Sequence, residues 1–121
     1  MNEERKQFET DAIRTQLERT DFLEHSSPLY LTSSFVFEDA EDMRASFTEE
    51  KDRNIYSRFT NPNTTEFVDK ICNMEGAESG YAFATGMAAV FSTFAALLKS
   101  GDHIVSARSV FGSTHTLFTT Y

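Results

Sequence analysis

The chain has 121 residues, of which 40% are hydrophobic and 25% charged, the proportions of an ordinary soluble globular protein. Its formal net charge of -8 argues against a nucleic-acid or anionic-membrane partner, since such surfaces are gripped by clustered Lys and Arg, yet it leaves room for one phosphate held by backbone amides and a single Arg. The lone Cys72 rules out an intrachain disulfide, and no Cys/His cluster has the spacing of a metal site, so no metal is expected.

Residues 1–6 are charged and no apolar signal segment follows them. The longest mainly apolar stretch, 87–98, is too short to cross a bilayer and includes Ser92 and Thr93, so a cytoplasmic protein is expected. Phe8, Ala12, Ile13 and Leu17 recur at helical spacing, which predicts an amphipathic helix over 5–19 with Glu9, Arg14, Gln16 and Glu18 on its wet face. From 26 to 37 the pattern turns extended: Pro28, then Leu29-Tyr30-Leu31 and Phe35-Val36-Phe37. Asp39, with Asp42 three residues on, reads as the N-cap of a short helix carrying Ala40, Met43 and Phe47 on one face.

Residues 48–63 are the most polar and least regular part, ending in the turn-prone Asn61-Pro62-Asn63. The organisational boundary belongs here, between an N-terminal helix and extended arm over 1–60 and the start of a larger domain over 61–121. Asn63 and Glu66 fit a capping box, Phe67, Val68, Ile71 and Met74 supply a buried stripe, and Gly76 is the stop. The remainder alternates: a strand over 80–84, a helix over 86–99, a turn at Gly101-Asp102, a strand over 103–107 and a helix from 112 to 121. Such alternation is the signature of an α/β fold with a mainly parallel sheet. A parallel sheet buries both faces, so these few strands form an incomplete sheet.

Three clusters carry possible chemistry. In Ala84-Thr85-Gly86-Met87-Ala88-Ala89 a strand passes into a helix through one Gly and small side chains. Free N–H groups and a partial positive charge favour an anion there; Gly86 lacks the Cβ that would block it, and Thr85 adds a hydroxyl. The alternative is a ligand-free turn with Thr85 as N-cap. Neither Gly-x-Gly-x-x-Gly nor Gly-Lys-Ser/Thr is present. In Tyr56-Ser57-Arg58-Phe59-Thr60-Asn61-Pro62, a phenol and a guanidinium two residues apart share one side of an extended chain, so both can grip one phosphate. A solvated loop is the alternative. Finally, Phe111 in Ser109-Val110-Phe111-Gly112-Ser113-Thr114 follows the second strand, where ligands of open α/β sheets bind. It can stack on a flat heterocycle or belong to the core. His25, His103 and His115 share no evident partner and read as structural.

In this order and at these separations, the clusters resemble the Cys/Met-metabolism family of pyridoxal-phosphate (PLP) enzymes, the γ-family of fold type I. The likeness runs from about residue 10 and includes 24–35 (Glu-His-Ser-Ser-Pro-Leu-Tyr-Leu-Thr-Ser-Ser-Phe), Met74-Glu75-Gly76-Ala77-Glu78 and Ser100-Gly101-Asp102-His103. The resemblance implies pyridoxal 5'-phosphate as cofactor, with its phosphate on the amides of Gly86 and Met87 beside Thr85, and Phe111 against the pyridine ring. It implies that Tyr56 and Arg58 reach a neighbouring subunit's cofactor phosphate, Tyr56 acting there as a catalytic group, in a homo-oligomer that is a dimer of dimers at full length. Many members have Ser at position 85 and Tyr at position 111; Phe111 keeps the stacking and loses a hydroxyl.

Within the family, Val-Phe-Gly-Ser-Thr and Leu-Tyr-Leu-Thr-Ser-Ser-Phe look most like the O-succinylhomoserine sulfhydrylases of methionine biosynthesis. The implied substrates are an O-succinyl- or O-acetylhomoserine and sulfide or a thiol. Cystathionine γ-synthase, a γ-lyase, or a non-catalytic interaction module are the alternatives. Lys6, Lys51, Lys70 and Lys99 match no Schiff-base context, Lys70 and Lys99 reading as solvated helix positions, and Asp102 reads as a turn residue. The chain alone is therefore expected to be inactive.

Overall fold

The computed structural model describes residues 8–121, which form five helices: α1 (Phe8–Arg14), α2 (Ala40–Phe47), α3 (Pro62–Glu75), α4 (Gly86–Leu97) and α5 (Gly112–Thr120). By internal contacts the chain divides into two compact units, the first ending at Tyr81 and the second spanning Ala82–Tyr121. Within the first unit α3 packs on α1 and binds the arm that precedes it.

In the first unit, the helix expected over 5–19 begins outside the described residues, as does Lys6, and ends early at Arg14. Tertiary bonds replace its last turn. The Leu17 amide donates to Glu66 Oε2 at 3.3 Å, and Thr15 Oγ1 accepts from Asn73 Nδ2 at 2.9 Å. A closed loop follows, in which the Glu24 carboxylate accepts from the amide and hydroxyl of Thr20 and Leu23 takes φ 53°.

Residues 26–37 then run as an arm bracketed by asparagines at the start of α3. Asn63 accepts from the Tyr30 amide at 2.8 Å and donates to the Pro28 carbonyl at 2.7 Å. Further on, Phe35 N donates to Ile55 O and Ser57 N to Ser33 O, around an isolated antiparallel bridge between Ser34 and Tyr56.

The capping box expected at Asn63 and Glu66 does not form. Asn61 caps α3, accepting from the Asn63 amide at 2.9 Å, and Pro62 takes the first helical position, where its missing N–H costs nothing. Asn63 and Glu66 are engaged by the arm instead, and Glu66 pairs with Lys70 at 2.9 Å. Lys70 is thus half-buried rather than solvated. Gly76 ends the helix as expected, in the left-handed conformation at φ 67°. A Cβ at Gly80 would lie 3.1 Å from Cys72 Sγ and 3.4 Å from Val68 Cγ1, so the chain leaving α3 passes close over its last turns.

Asp39 caps α2 as expected, its side chain accepting from the Asp42 amide at 2.7 Å. The face turned inward is the polar one, however. Asp42 and Ser46 are buried, whereas Met43 and Phe47 are exposed. Asp42 draws its side inward because its carboxylate binds Lys51, Arg53 and the Glu38 amide, which closes the 38–53 loop. The stripe on α3 departs similarly: Val68 and Met74 are half-buried, Phe67 and Ile71 exposed, and Phe8 and Ile13 of α1 are exposed too.

In the second unit, α4 is capped by Leu98 and a tight turn follows, with Gly101 at φ 97° and the Asp102 carboxylate accepting from the Lys99 amide at 2.8 Å. Phe94 meets Phe118 edge to face at 4.9 Å, joining α4 to α5. The strands expected over 80–84 and 103–107 are not formed: neither segment is paired with any other among the described residues. A helix closes its own hydrogen bonds, whereas a strand exists only beside another. The apolar residues that suggested strands lie open instead, Val105 completely so. Among the described residues no apolar side chain is fully buried; the buried ones are Asp42, Ser46 and Asn61.

Candidate functional site

The entrance to α4 is built by Thr85. Its extended backbone, φ -145° and ψ 152°, turns the chain into the helix, and its Oγ1 accepts from the Ala88 amide at 3.1 Å while its carbonyl accepts from Ala89. The amides of Gly86 and Met87 have no partner among the described residues. Two free N–H groups therefore stand at the positive end of a helix of 12 residues. Space at Gly86 is open, for a Cβ built there would meet nothing within 4 Å.

Thr114 Oγ1, in the first turn of α5, lies 3.7 Å from Met87 Sδ and ties the two helix starts together. Phe111 occupies the cap position of α5 without any side-chain capping bond and is 71% exposed. The structure thus gathers Thr85, Gly86, Met87 and Phe111 at the paired entrances of α4 and α5.

Tyr56 and Arg58 belong to the first unit and are brought together by a different geometry from the extended one expected. Residues 56–59 form a turn, closed by bonds from the Phe59 and Thr60 amides to the Tyr56 carbonyl at 2.8 and 3.1 Å. The Arg58 guanidinium lies 5.3 Å from the centroid of the Tyr56 ring and 5.3 Å from that of Phe59. The rings hold the cation over their faces while leaving its N–H fork without a carboxylate partner among the described residues.

Asn61, Asn63 and Glu66 escaped the sequence reading as supports of this region. An Asn ahead of Pro reads as a cap, and nothing local shows that its amide also serves the arm. The Glu66 carboxyl is held below its usual range, first by the Ser27 hydroxyl and then by Lys70 and the Leu17 amide, with partial burial opposing. The three histidines are exposed, and no group of three or more His, Cys, Asp or Glu suited to a metal occurs among the described residues. No helix among them is long and apolar enough to cross a membrane.

Two unpaired amides, a nearby hydroxyl and open space at a glycine suit a phosphate monoester, and the exposed Phe111 ring at the cap of the neighbouring α5 suits a flat heterocycle. These residues fit PLP, and solved structures share the fold. A protein of Campylobacter jejuni described as an O-acetylhomoserine (thiol)-lyase, which carries a pyridoxyl-lysine phosphate, superposes with a TM-score of 0.86 at 31% identity, over 93% of this chain and 28% of its own. The MetB protein of Corynebacterium glutamicum gives 0.80 at 30% identity, over 95% and 28%.

The chain belongs to the family of Cys/Met metabolism PLP-dependent enzymes, whose model matches residues 9–121. The O-succinylhomoserine sulfhydrylase of Pseudomonas aeruginosa is 46% identical over 94% of this chain, and an L-methionine gamma-lyase of Fusobacterium nucleatum is 41% identical over 74%. The chain spans 28% and 23% of the lengths of these two relatives.

Proposed function

We propose that the protein in its full-length form is a γ-replacement enzyme, converting O-succinyl- or O-acetylhomoserine and sulfide to homocysteine in methionine biosynthesis. One observation carries this reading: the 46% identity to an O-succinylhomoserine sulfhydrylase runs across 94% of the chain, through every cluster described above. When bound, PLP would supply the electron sink that lets a Cα and then a Cβ proton leave, so that the γ-ester departs as succinate or acetate and sulfur takes its place.

The roles of this chain's own residues follow from their chemistry. The Gly86 and Met87 amides, with the Thr85 hydroxyl, bind the phosphate of the subunit's own cofactor. Phe111 covers one face of the ring, excludes water from it and fixes its tilt. Tyr56 and Arg58 serve the phosphate of a neighbouring subunit in a homo-oligomer, Arg58 by its planar fork and Tyr56 by its hydroxyl. Tyr56 also holds a proton at that hydroxyl in the partner's site.

The test is to give the full-length protein each homoserine ester with sulfide or with cysteine. Homocysteine formed fastest from O-succinylhomoserine and sulfide is the expected result. Cystathionine as the main product would move the reaction to a synthase and overturn the choice of donor. The 41% identity to a methionine gamma-lyase favours elimination as a second reading; release of a 2-oxo acid and ammonia without added sulfide would establish it instead.

A further inference from the structure

We infer that Asn61 is a positioning residue for the phosphate-gripping pair Tyr56 and Arg58. The inference rests on the reading of that pair given above and extends it to the support that aims them.

Asn61 is 8% exposed. One side of its amide caps α3, Oδ1 accepting from the Asn63 amide at 2.9 Å. The other side is divided between two partners: Nδ2 donates to the Tyr30 carbonyl at 3.1 Å and to Ser57 Oγ at 3.0 Å. A single buried amide thereby fastens the arm, the turn and the helix to one another.

Ser57 is the residue between the two gripping side chains, and it is held at both ends. Its amide donates to the Ser33 carbonyl at 2.9 Å, and its hydroxyl donates to the Thr32 carbonyl while accepting from Asn61. With Ser57 fixed, the directions in which Tyr56 and Arg58 leave the backbone are fixed as well. A guanidinium makes two parallel bonds to a phosphate only in one plane, so a small rotation of this turn forfeits one of them. Helix capping alone does not account for the arrangement. A cap needs only the oxygen, which Ser would supply equally well, whereas the Nδ2 bonds do nothing for the helix.

The experiment uses the full-length apoenzyme and compares the affinities of PLP and of pyridoxal, which lacks the phosphate, in the wild type and in Asn61→Ser, Ser57→Ala and Arg58→Ala. Asn61→Ser keeps the cap and removes both Nδ2 bonds without adding charge. The expected result is that Asn61→Ser and Ser57→Ala each weaken PLP by about tenfold, the scale of one lost charged hydrogen bond, while pyridoxal stays within about twofold of wild type, and that Arg58→Ala does the same. If Arg58→Ala shows that selectivity but Asn61→Ser and Ser57→Ala weaken both ligands equally or neither, the positioning role is overturned and the phosphate grip stands. If Arg58→Ala leaves both affinities unchanged, the grip itself fails and the inference falls with it. Should Asn61→Ser not fold, Ser57→Ala alone decides, since it leaves the cap intact.

Discussion

Among the described residues, Asp42 is the one charged side chain that is buried. Its carboxyl is pushed down from 3.8 to about 2, chiefly by the Lys51 ammonium bond, then by the Glu38 amide and the Arg53 charge, with burial opposing. A carboxyl depressed in the folded state stabilises that state fully above its unfolded value and progressively less as pH falls through the folded one. Asp42 therefore supports the 38–53 loop above about pH 4 and ceases to between there and about pH 2. Asp42→Asn should lower stability at neutral pH, and the gap from wild type should close on acidification across that window. Denaturant midpoints measured at several pH values check this; a gap that does not change with pH would contradict it. None of this network was legible beforehand. Asp39 as cap follows from a local rule, but the partners of Asp42 lie nine and eleven residues away. Likewise Asn61, Asn63 and Glu66 satisfy local capping rules on paper, while their actual partners are arm residues more than thirty positions distant, or in Asn61's case both.

Helices were readable because each closes its own hydrogen bonds, and several announce their ends chemically. Asp39, Gly76 and Thr85 mark boundaries where the structure puts them. The two strand candidates had the correct composition, and composition is all that a segment can show of a strand whose partners are elsewhere. The same logic explains why the α4 entrance was legible. Thr85 followed by Gly86 is a local signal, and both its cap bond and its free amides follow from helix geometry. Thr85→Ala should cost about 1 kcal/mol of stability through the lost bond to the Ala88 amide, and Thr85→Ser should restore most of it. Thermal or urea unfolding of the full-length protein reads the difference; equal losses for Ala and Ser would show that the hydroxyl is not the cap. The turn at 56–59 was half legible. Tyr56 and Arg58 do come together, but by a reversal of the chain that alternation along a strand did not foretell.

Among the described residues, apolar side chains face outward in both units, including Leu31, Val36, Tyr81, Leu97 and Val105. Monomeric proteins rarely leave so much apolar surface uncovered. The 121-residue chain in isolation is expected to bind an environment-sensitive apolar dye strongly and to self-associate in sedimentation as its concentration rises. A monomeric sediment with dye emission no higher than that of an ordinary folded domain would contradict this. The family frame explains the pattern without further assumption, since the chain spans 28% of a matching relative. What the sequence patterns conveyed was the family and the Thr85 cap at the start of α4, because both are written in short segments. What covers the apolar faces is a property of surfaces meeting at long range.

The close pass of Gly80 over Cys72 gives the molecule a built-in clock. Cys72 is the sole thiol, it is half-buried, and its sulfur sits against the position where the chain departs from α3. The 77–81 segment shields part of that sulfur, so alkylation should quicken when the segment lifts away. Ligands that quieten the exit will slow the reaction, and those that loosen it will speed it, each readable by mass from a single modified atom.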